Sequence, residues 1–362
     1  MSSRITGLDG LRGLASLIVV LRHTSNAVAM PLATRHALLE GPWAPLLNAQ
    51  GAVQLFFVLS GYVLAGSLSR SRVPRSTVRF YVRRVFRIHP PYIGAVVLAW
   101  AASLLYRDPG LAHGVTPWVD QLNAADLTAW QVLTTFKFPG SALGLVPQGW
   151  TLEIEMIFSL LMPLLFWLAR RVHWGSLVLL GLALLALAPP AGPLHFAIDF
   201  SIGIALFLER ERLGRWLAAV PAALAPGLVV AGLAFFGGPL LLGWHVVLPD
   251  QGILFGGADP RSMLLVGVGA CFLVATAVHL PWWVSVLSSR PLVFLGRISF
   301  SLYLCHWAVL SVLVGRMPPL QSPRDGWLLL AAVLAASIPL SALGYYGLER
   351  PAIRFGRRLA HG

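Results

Sequence analysis

The chain has 362 residues, 57% of them hydrophobic and 11% charged, with a mean hydropathy of +0.75. That composition excludes an ordinary water-facing globule and requires a bilayer to cover most of the surface. The net charge of +13 does not point to nucleic acid: every basic residue except Lys137 is arginine, and most lie between apolar segments, the pattern of cytoplasmic loops.

In chain order the apolar runs predict an all-α, polytopic bundle of about ten membrane helices. They fall near 11–30, 51–69, 88–106, 150–169, 175–190, 194–209, 222–243, 262–281, 292–315 and 327–348. The first run has no small-residue cleavage site and reads as a retained helix, not a signal peptide. Pro189, Pro190 and Pro193 separate the fifth run from the sixth. With the N-terminus inside, 19 basic residues fall on the cytoplasmic side against six outside, with Arg12 and Arg22 within the first helix. An even number of spans then puts both termini in the cytoplasm. The longest loop, about 107–149, faces outward, carries Asp108, Asp120, Asp126, Trp118 and Trp130, and suits a re-entrant or lid segment. No repeat, linker or appended soluble domain is apparent, so residues 1–362 read as one membrane domain. Cys271 and Cys305 sit in apolar runs without CxxC spacing, which argues for packing and against a disulfide or metal site.

Ionisable groups inside spans are costly and mark candidate sites. In LDGLRGLASLIVVLRHTSNA, Arg12 and His23 are eleven residues apart, hence on one helix face about 16 Å apart in depth. A guanidinium near the cytoplasmic mouth suits phosphate, and a neutral imidazole near mid-membrane can take a proton from a hydroxyl. The competing role for such a histidine is a hydrogen bond to a neighbouring helix. Arg22 points about 100° away from His23, and either pairs with a carboxylate on another helix or lines the same cavity.

In FYVRRVFRIHPPY, Arg84 and Arg87 form a fork on one side of a helix start just inside the membrane surface, suited to a phosphorylated cosubstrate or simply to topology. GWTLEIEMIF places Glu155 about 8 Å below the outer surface, and Glu153 about 200° from it, so one of the two faces the interior. Asp199, His306 and Glu349 are further intramembrane groups, and His306 lies at roughly the depth of His23. No Walker loop, GxSxG elbow, HExxH or CxxC cluster is present, which argues against an ATPase, a serine hydrolase and a zinc enzyme.

Six segments in order carry a resemblance. LDGLRGLASLIVVLRH has Arg, ten residues, then His; LFFVLSGYVL places Ser60 and Gly61; RRVFRIHPPY is an RxxR loop; GWTLEIEMIF aligns Glu155 with a W-S-L-x-x-E-x-x-F stretch. LGRISFSLYLCHW gives Ser299, Tyr303 and His306, and LERP gives Glu349, Arg350 and Pro351. Together they resemble the bacterial membrane acyltransferases of the acyltransferase-three family. The resemblance implies transfer of an acyl group, commonly acetyl, from cytoplasmic acyl-CoA to a hydroxyl. The acceptor is usually a sugar of a glycan, lipid-linked precursor or secondary metabolite.

On that expectation the protein resides in the bacterial cytoplasmic (inner) membrane, binds no cofactor permanently and no metal, and uses acyl-CoA (acetyl-CoA) as cosubstrate. Its partners are acyl-CoA, a glycan, lipid-linked sugar or glycosylated metabolite, and membrane lipids, with no nucleic acid. Arg12, Arg84 and Arg87 hold the CoA phosphates and His23 acts as general base. Glu155, His306 and Glu349 orient the acceptor or the histidine, and Ser60, Tyr303 and Arg22 support the substrate. Thr151, Phe300 and Arg22 depart from the family pattern, where Ser, Tyr and a less charged residue are usual. Some relatives carry an extra soluble domain; this chain is expected to finish transfer within its membrane domain or pass the product to a partner. The alternative is a transporter or flippase of a lipid-linked or anionic sugar, and a membrane scaffold leaves the buried charges unexplained.

Overall fold

Many helices here begin at proline, whose fixed φ is pre-organised for the first turn and whose missing N–H would have no intrahelical partner there. Six helices after residue 224 carry proline in that first turn. The computed structural model describes residues 5–30, 32–39, 41–69, 75–106, 114–122, 130, 134–135, 145–188, 192–244, 259–320 and 322–360. Of the loop expected to face outward, Arg107, Asp108, Asp126, Lys137 and the side chain of Asp120 lie outside the described residues, as do Pro189 and Pro190.

The elements are α1 (Thr6–Ala27), α2 (Leu32–Leu39), α3 (Ala44–Leu47), α4 (Ala49–Ser69), α5 (Arg75–Leu105) and α6 (Pro117–Leu122). They continue with α7 (Gly149–Arg171), α8 (Trp174–Leu187), a 3-10 turn (Pro193–Phe196) leading into α9 (Ala197–Leu208), α10 (Arg210–Ala218) and α11 (Ala225–Leu241). The last are α12 (Pro260–His279), α13 (Pro281–Leu287), α14 (Arg290–Val314), α15 (Pro323–Gly344), a π-helical turn (Tyr345–Glu349) and α16 (Arg350–Leu359). Among the described residues there is no strand, only an isolated antiparallel bridge between Val28 and Val115.

A helix occupies each of the ten predicted segments. Six stretches are long and apolar enough to cross a membrane: Ala49–Ser69, Thr77–Leu105, Gly149–Arg171, Pro260–His279, Arg290–Val314 and Pro323–Leu359. Helices α8, α9 and α11 are apolar but shorter, and α1 carries Asp9, Arg12, Arg22 and His23 along 22 residues. The burial pattern is that of a bilayer protein. Leu104, Leu179, Leu187 and Leu343 are exposed while Gln54, Arg84, His306 and Glu349 are buried.

Two findings correct the sequence reading. The RxxR segment is not a loop: α5 runs unbroken from Arg75 through Pro90 and Pro91 to Leu105, so Arg84 and Arg87 sit more than two turns inside a helix. Counting apolar residues started that span too late, because the charge of Arg84 is met inside the bundle. Nor does α7 begin at the outer surface. Leu145, Val146 and Gln148 are buried, and Gln148 Nε2 donates to the carbonyls of Tyr303 and Leu304, both at 2.9 Å, midway along α14. Glu155 therefore lies in the middle of the bundle, not ~8 Å below its outer face.

Close backbone approach fixes the first helix. A Cβ on Gly296 of α14 would overlap the carbonyl of Asp9 in α1, and one on Gly13 would meet the backbone of Leu292 and Gly296. Small residues at these positions let the two helices touch along their length.

Candidate active site

The α1–α14 contact sets the first element of the site. His23 Nδ1 and His306 Nε2 are 2.8 Å apart, and His306 Nδ1 is 3.1 Å from the carbonyl of Leu302, one turn back on α14. A carbonyl only accepts, so the proton on a neutral His306 sits on Nδ1 and its Nε2 has a lone pair. His23 must then donate from Nδ1, which leaves its own Nε2 unprotonated. His306 is 0% exposed, whereas His23 is half-buried and lines a cavity of about 210 Å³. The imidazole packs edge-on against Trp118 (ring centroids 5.5 Å) and Trp307 (6.3 Å), which also touch each other. Trp118 comes from the segment between α5 and α7, whose Thr116 N–H donates to Ala27 O and hydroxyl to Asn26 O, tying α6 over the end of α1.

A second cluster gathers lower in the bundle. Arg84 Nη2 lies 2.6 Å from Glu155 Oε1, and Arg84 Nε donates to Ser159 Oγ at 3.0 Å. Ser60 Oγ is 3.4 Å from the same Glu155 oxygen, at the edge of hydrogen-bond range. A half-buried carboxylate with a buried guanidinium on one oxygen fixes both groups, since removing the carboxylate strands the Arg84 charge. Tyr303 closes the cluster, its hydroxyl 2.9 Å from Thr151 Oγ1. The departure from Ser at Thr151 thus keeps the hydroxyl that the site uses. Glu349, delivered by the π-helical turn, accepts from Ser301 Oγ at 2.7 Å.

These groups line three cavities that share walls. A wide mouth of about 990 Å³ is bordered by Arg12, Arg87 and Glu349. Arg12 and Arg87 also line a small central cavity of about 60 Å³ with Ser60, Glu155 and Tyr303. Tyr303 and Val53 in turn line the His23 cavity, with Arg22, Gln148, Trp150 and Asp259. Arg12 is thus at the mouth and centre, and His23 is one cavity further in, as their spacing on α1 predicts.

The candidates divide accordingly. His23, His306, Arg22 and Tyr303 gather around the inner cavity, and Arg12, Arg87, Glu155 and Ser60 around the central one. Of the RxxR fork only Arg87 lines cavities; Arg84 is turned to Glu155 and Ser159 and borders none of the three. Glu349 faces the mouth, five residues' rise along α14 from His306 through its partner Ser301. Gln148 was not singled out in the sequence, because a lone Gln before a helix reads as a linker residue. Its one legible signal is its place immediately before GWTLE.

The family model described as "Acyltransferase domain", that of the acyltransferase-three family, matches residues 5–346. The chain is 25% identical to the "Putative O-acetyltransferase" of Staphylococcus aureus (strain COL) over 85% of its own length and 51% of that protein. It is 27% identical to the "Putative membrane-bound transacylase BcsY" of Komagataeibacter xylinus, covering 98% of this chain and 85% of the relative. It is 25% identical to "Nodulation protein 10" of Rhizobium leguminosarum bv. viciae, covering 98% and 94%. The chain spans about half the length of the staphylococcal relatives. No solved structure matches it. With the family model covering nearly every described helix, from α1 to the π-helical turn, the chain belongs to the acyltransferase-three family of membrane acyltransferases.

Proposed function

We propose that the protein is an O-acyltransferase that moves an acyl group, acetyl in the simplest case, from acyl-CoA to a hydroxyl of a sugar-bearing acceptor. The observation that carries this reading is the run of three wall-sharing cavities from an arginine-lined mouth to the His23 ring. Arg12 and His23 are about 16 Å apart along α1, a length that a pantetheine arm can cover. The donor's phosphates stay at the mouth with Arg12 and Arg87, and its thioester reaches the inner cavity. Arg84 supports the path by holding Glu155. The acceptor enters the inner cavity beside Trp118, Trp150 and Gln148, aromatic faces and amide groups that suit a sugar.

In the reaction, His23 Nε2 takes the proton of the acceptor hydroxyl as its oxygen attacks the thioester carbonyl. The C–S bond then breaks, and the leaving thiolate recovers the proton from the imidazolium, giving ester and free CoA. The Nδ1–H bond to His306 holds the reactive tautomer throughout. In this reading ten helices cross the cytoplasmic membrane with both termini inside, which puts the arginine mouth on the acyl-CoA side.

The test is transfer of radiolabelled acetyl from acetyl-CoA to a crude glycan acceptor by purified protein in lipid nanodiscs. Label should move with wild-type protein and stop with His23→Ala. Transfer retained by that variant sinks the base assignment. A protein that acetyl-CoA neither stabilises against heat nor acylates with points instead to transport.

A further inference from the structure

The mouth holds far more positive charge than the RxxR motif and Arg12 account for. Seven guanidiniums, those of Arg12, Arg87, Arg210, Arg297, Arg350, Arg354 and Arg357, line it against two carboxyls, Asp9 and Glu349. They come from α1, α5, α14, the α9–α10 junction and α16, so the chain ends and inter-helix turns converge on one space. The arginines are graded in depth: Arg12, Arg87 and Arg210 are half-buried, while Arg297, Arg350, Arg354 and Arg357 are exposed at the rim. Arg350, Arg354 and Arg357 recur at four- and three-residue steps and so share one face of α16. That helix is anchored by its other side, where Phe355 meets Phe86 (ring centroids 5.3 Å) and Gly356 lies against the same ring. Among the described residues none of these three forms an ion pair. Phe207, Tyr62 and Tyr345 add aromatic surface to the same wall.

Seven guanidiniums against two carboxyls, with the three of α16 in no ion pair among the described residues, suit a ligand with several phosphate groups. Two sources share that chemistry, a phosphorylated nucleotide and an anionic lipid headgroup. The nucleotide is favoured because the mouth narrows onto the central cavity through Arg12 and Arg87, and because about 990 Å³ accommodates a nucleotide. Resting on the donor assigned above, we propose that the C-terminal helix α16 is part of the donor site, with Arg354 and Arg357 at the rim binding the ribose phosphate of the CoA nucleotide. The pyrophosphate lies deeper, at Arg12 and Arg87, and the adenosine end occupies the aromatic wall.

The experiment measures binding of CoA and of dephospho-CoA, which lacks only the ribose phosphate, to protein in phosphatidylcholine nanodiscs. Wild-type protein should bind CoA at least tenfold more tightly. The Arg354→Gln/Arg357→Gln variant should bind both at the weaker level with an unchanged melting temperature, and Arg354→Lys/Arg357→Lys should restore part of the difference. A Gln variant that still prefers CoA overturns the assignment to α16 while leaving the acyl-CoA reading standing. Wild-type protein that binds neither nucleotide removes both. If the Gln variant loses only stabilisation by added phosphatidylglycerol and keeps its CoA preference, the rim is a lipid site and the proposal fails.

Discussion

His306 Nε2 accepts from His23 Nδ1 across 2.8 Å, and the Leu302 carbonyl 3.1 Å from the far nitrogen of His306 sets the direction of that bond. One backbone oxygen thus determines which nitrogen of His23 faces the inner cavity. Replacing His306 with Ala should leave His23 in place but free its tautomer and ring orientation. Transfer should fall about 10–100-fold, as when a partner orienting a histidine is lost. His23→Ala should cost more, about 10²–10⁴-fold. The double variant should be no slower than His23→Ala, because the two act as a unit. Additive losses in single-turnover assays would show that His306 works independently of His23.

The Arg84–Glu155 pair joins a buried guanidinium to a half-buried carboxylate at 2.6 Å and borders the central cavity through Glu155 alone. Glu155→Leu strands the buried Arg84 guanidinium and should destabilise by about 3–5 kcal/mol, and Arg84→Met, which leaves a half-buried carboxylate in a cavity shared with Arg12 and Arg87, by less. The Arg84→Met/Glu155→Leu double variant should recover most of the melting temperature without recovering transfer. Singles that melt like wild type would mean the pair contributes nothing to the bundle.

Tyr303 touches the central and inner cavities and reaches Thr151 through its hydroxyl. Tyr303→Phe leaves Thr151 Oγ1 still donating to Gln148 O, so its cost should be about 1 kcal/mol of stability. Thr151→Ser should behave as wild type, and Thr151→Val, which loses both hydrogen bonds and strands the buried Tyr303 hydroxyl, should cost more than Tyr303→Phe. Thermal melts of the three proteins check this, and a Thr151→Ser loss as large as that of Val rejects the hydroxyl's role.

Gly296 has no room for a side chain against the Asp9 carbonyl. Gly296→Val should push α1 from α14, separating His23 from His306 and lowering both melting temperature and transfer. Gly347, which meets nothing within 4 Å, is the matched control, and Gly347→Ala should alter neither. Normal transfer by Gly296→Val would show that α1 can dock on α14 in another way.

Much of the site was legible in the chain. The order of polar residues within apolar runs announced a membrane helical bundle, because water-soluble packing cannot absorb so little charge. The helical period put Arg12 and His23 on one face, since 3.6 residues per turn is a local property of the backbone. The depth of Glu155, the destination of Arg84 and the meeting of His23 with His306 were not legible. Each joins residues 71 to 283 positions apart, and only packing brings them together. Hydropathy also placed the start of α7 at the outer surface, when Gln148 buries it at mid-bundle by satisfying two α14 carbonyls. The arginines of α16 read as topology, since a charge count along the chain cannot tell an inward guanidinium from an outward one. The sequence by itself determined the helices, their polar faces and the family; the tertiary structure alone decided which faces meet, because glycine contacts and buried hydrogen bonds select one docking among many that amphipathicity allows.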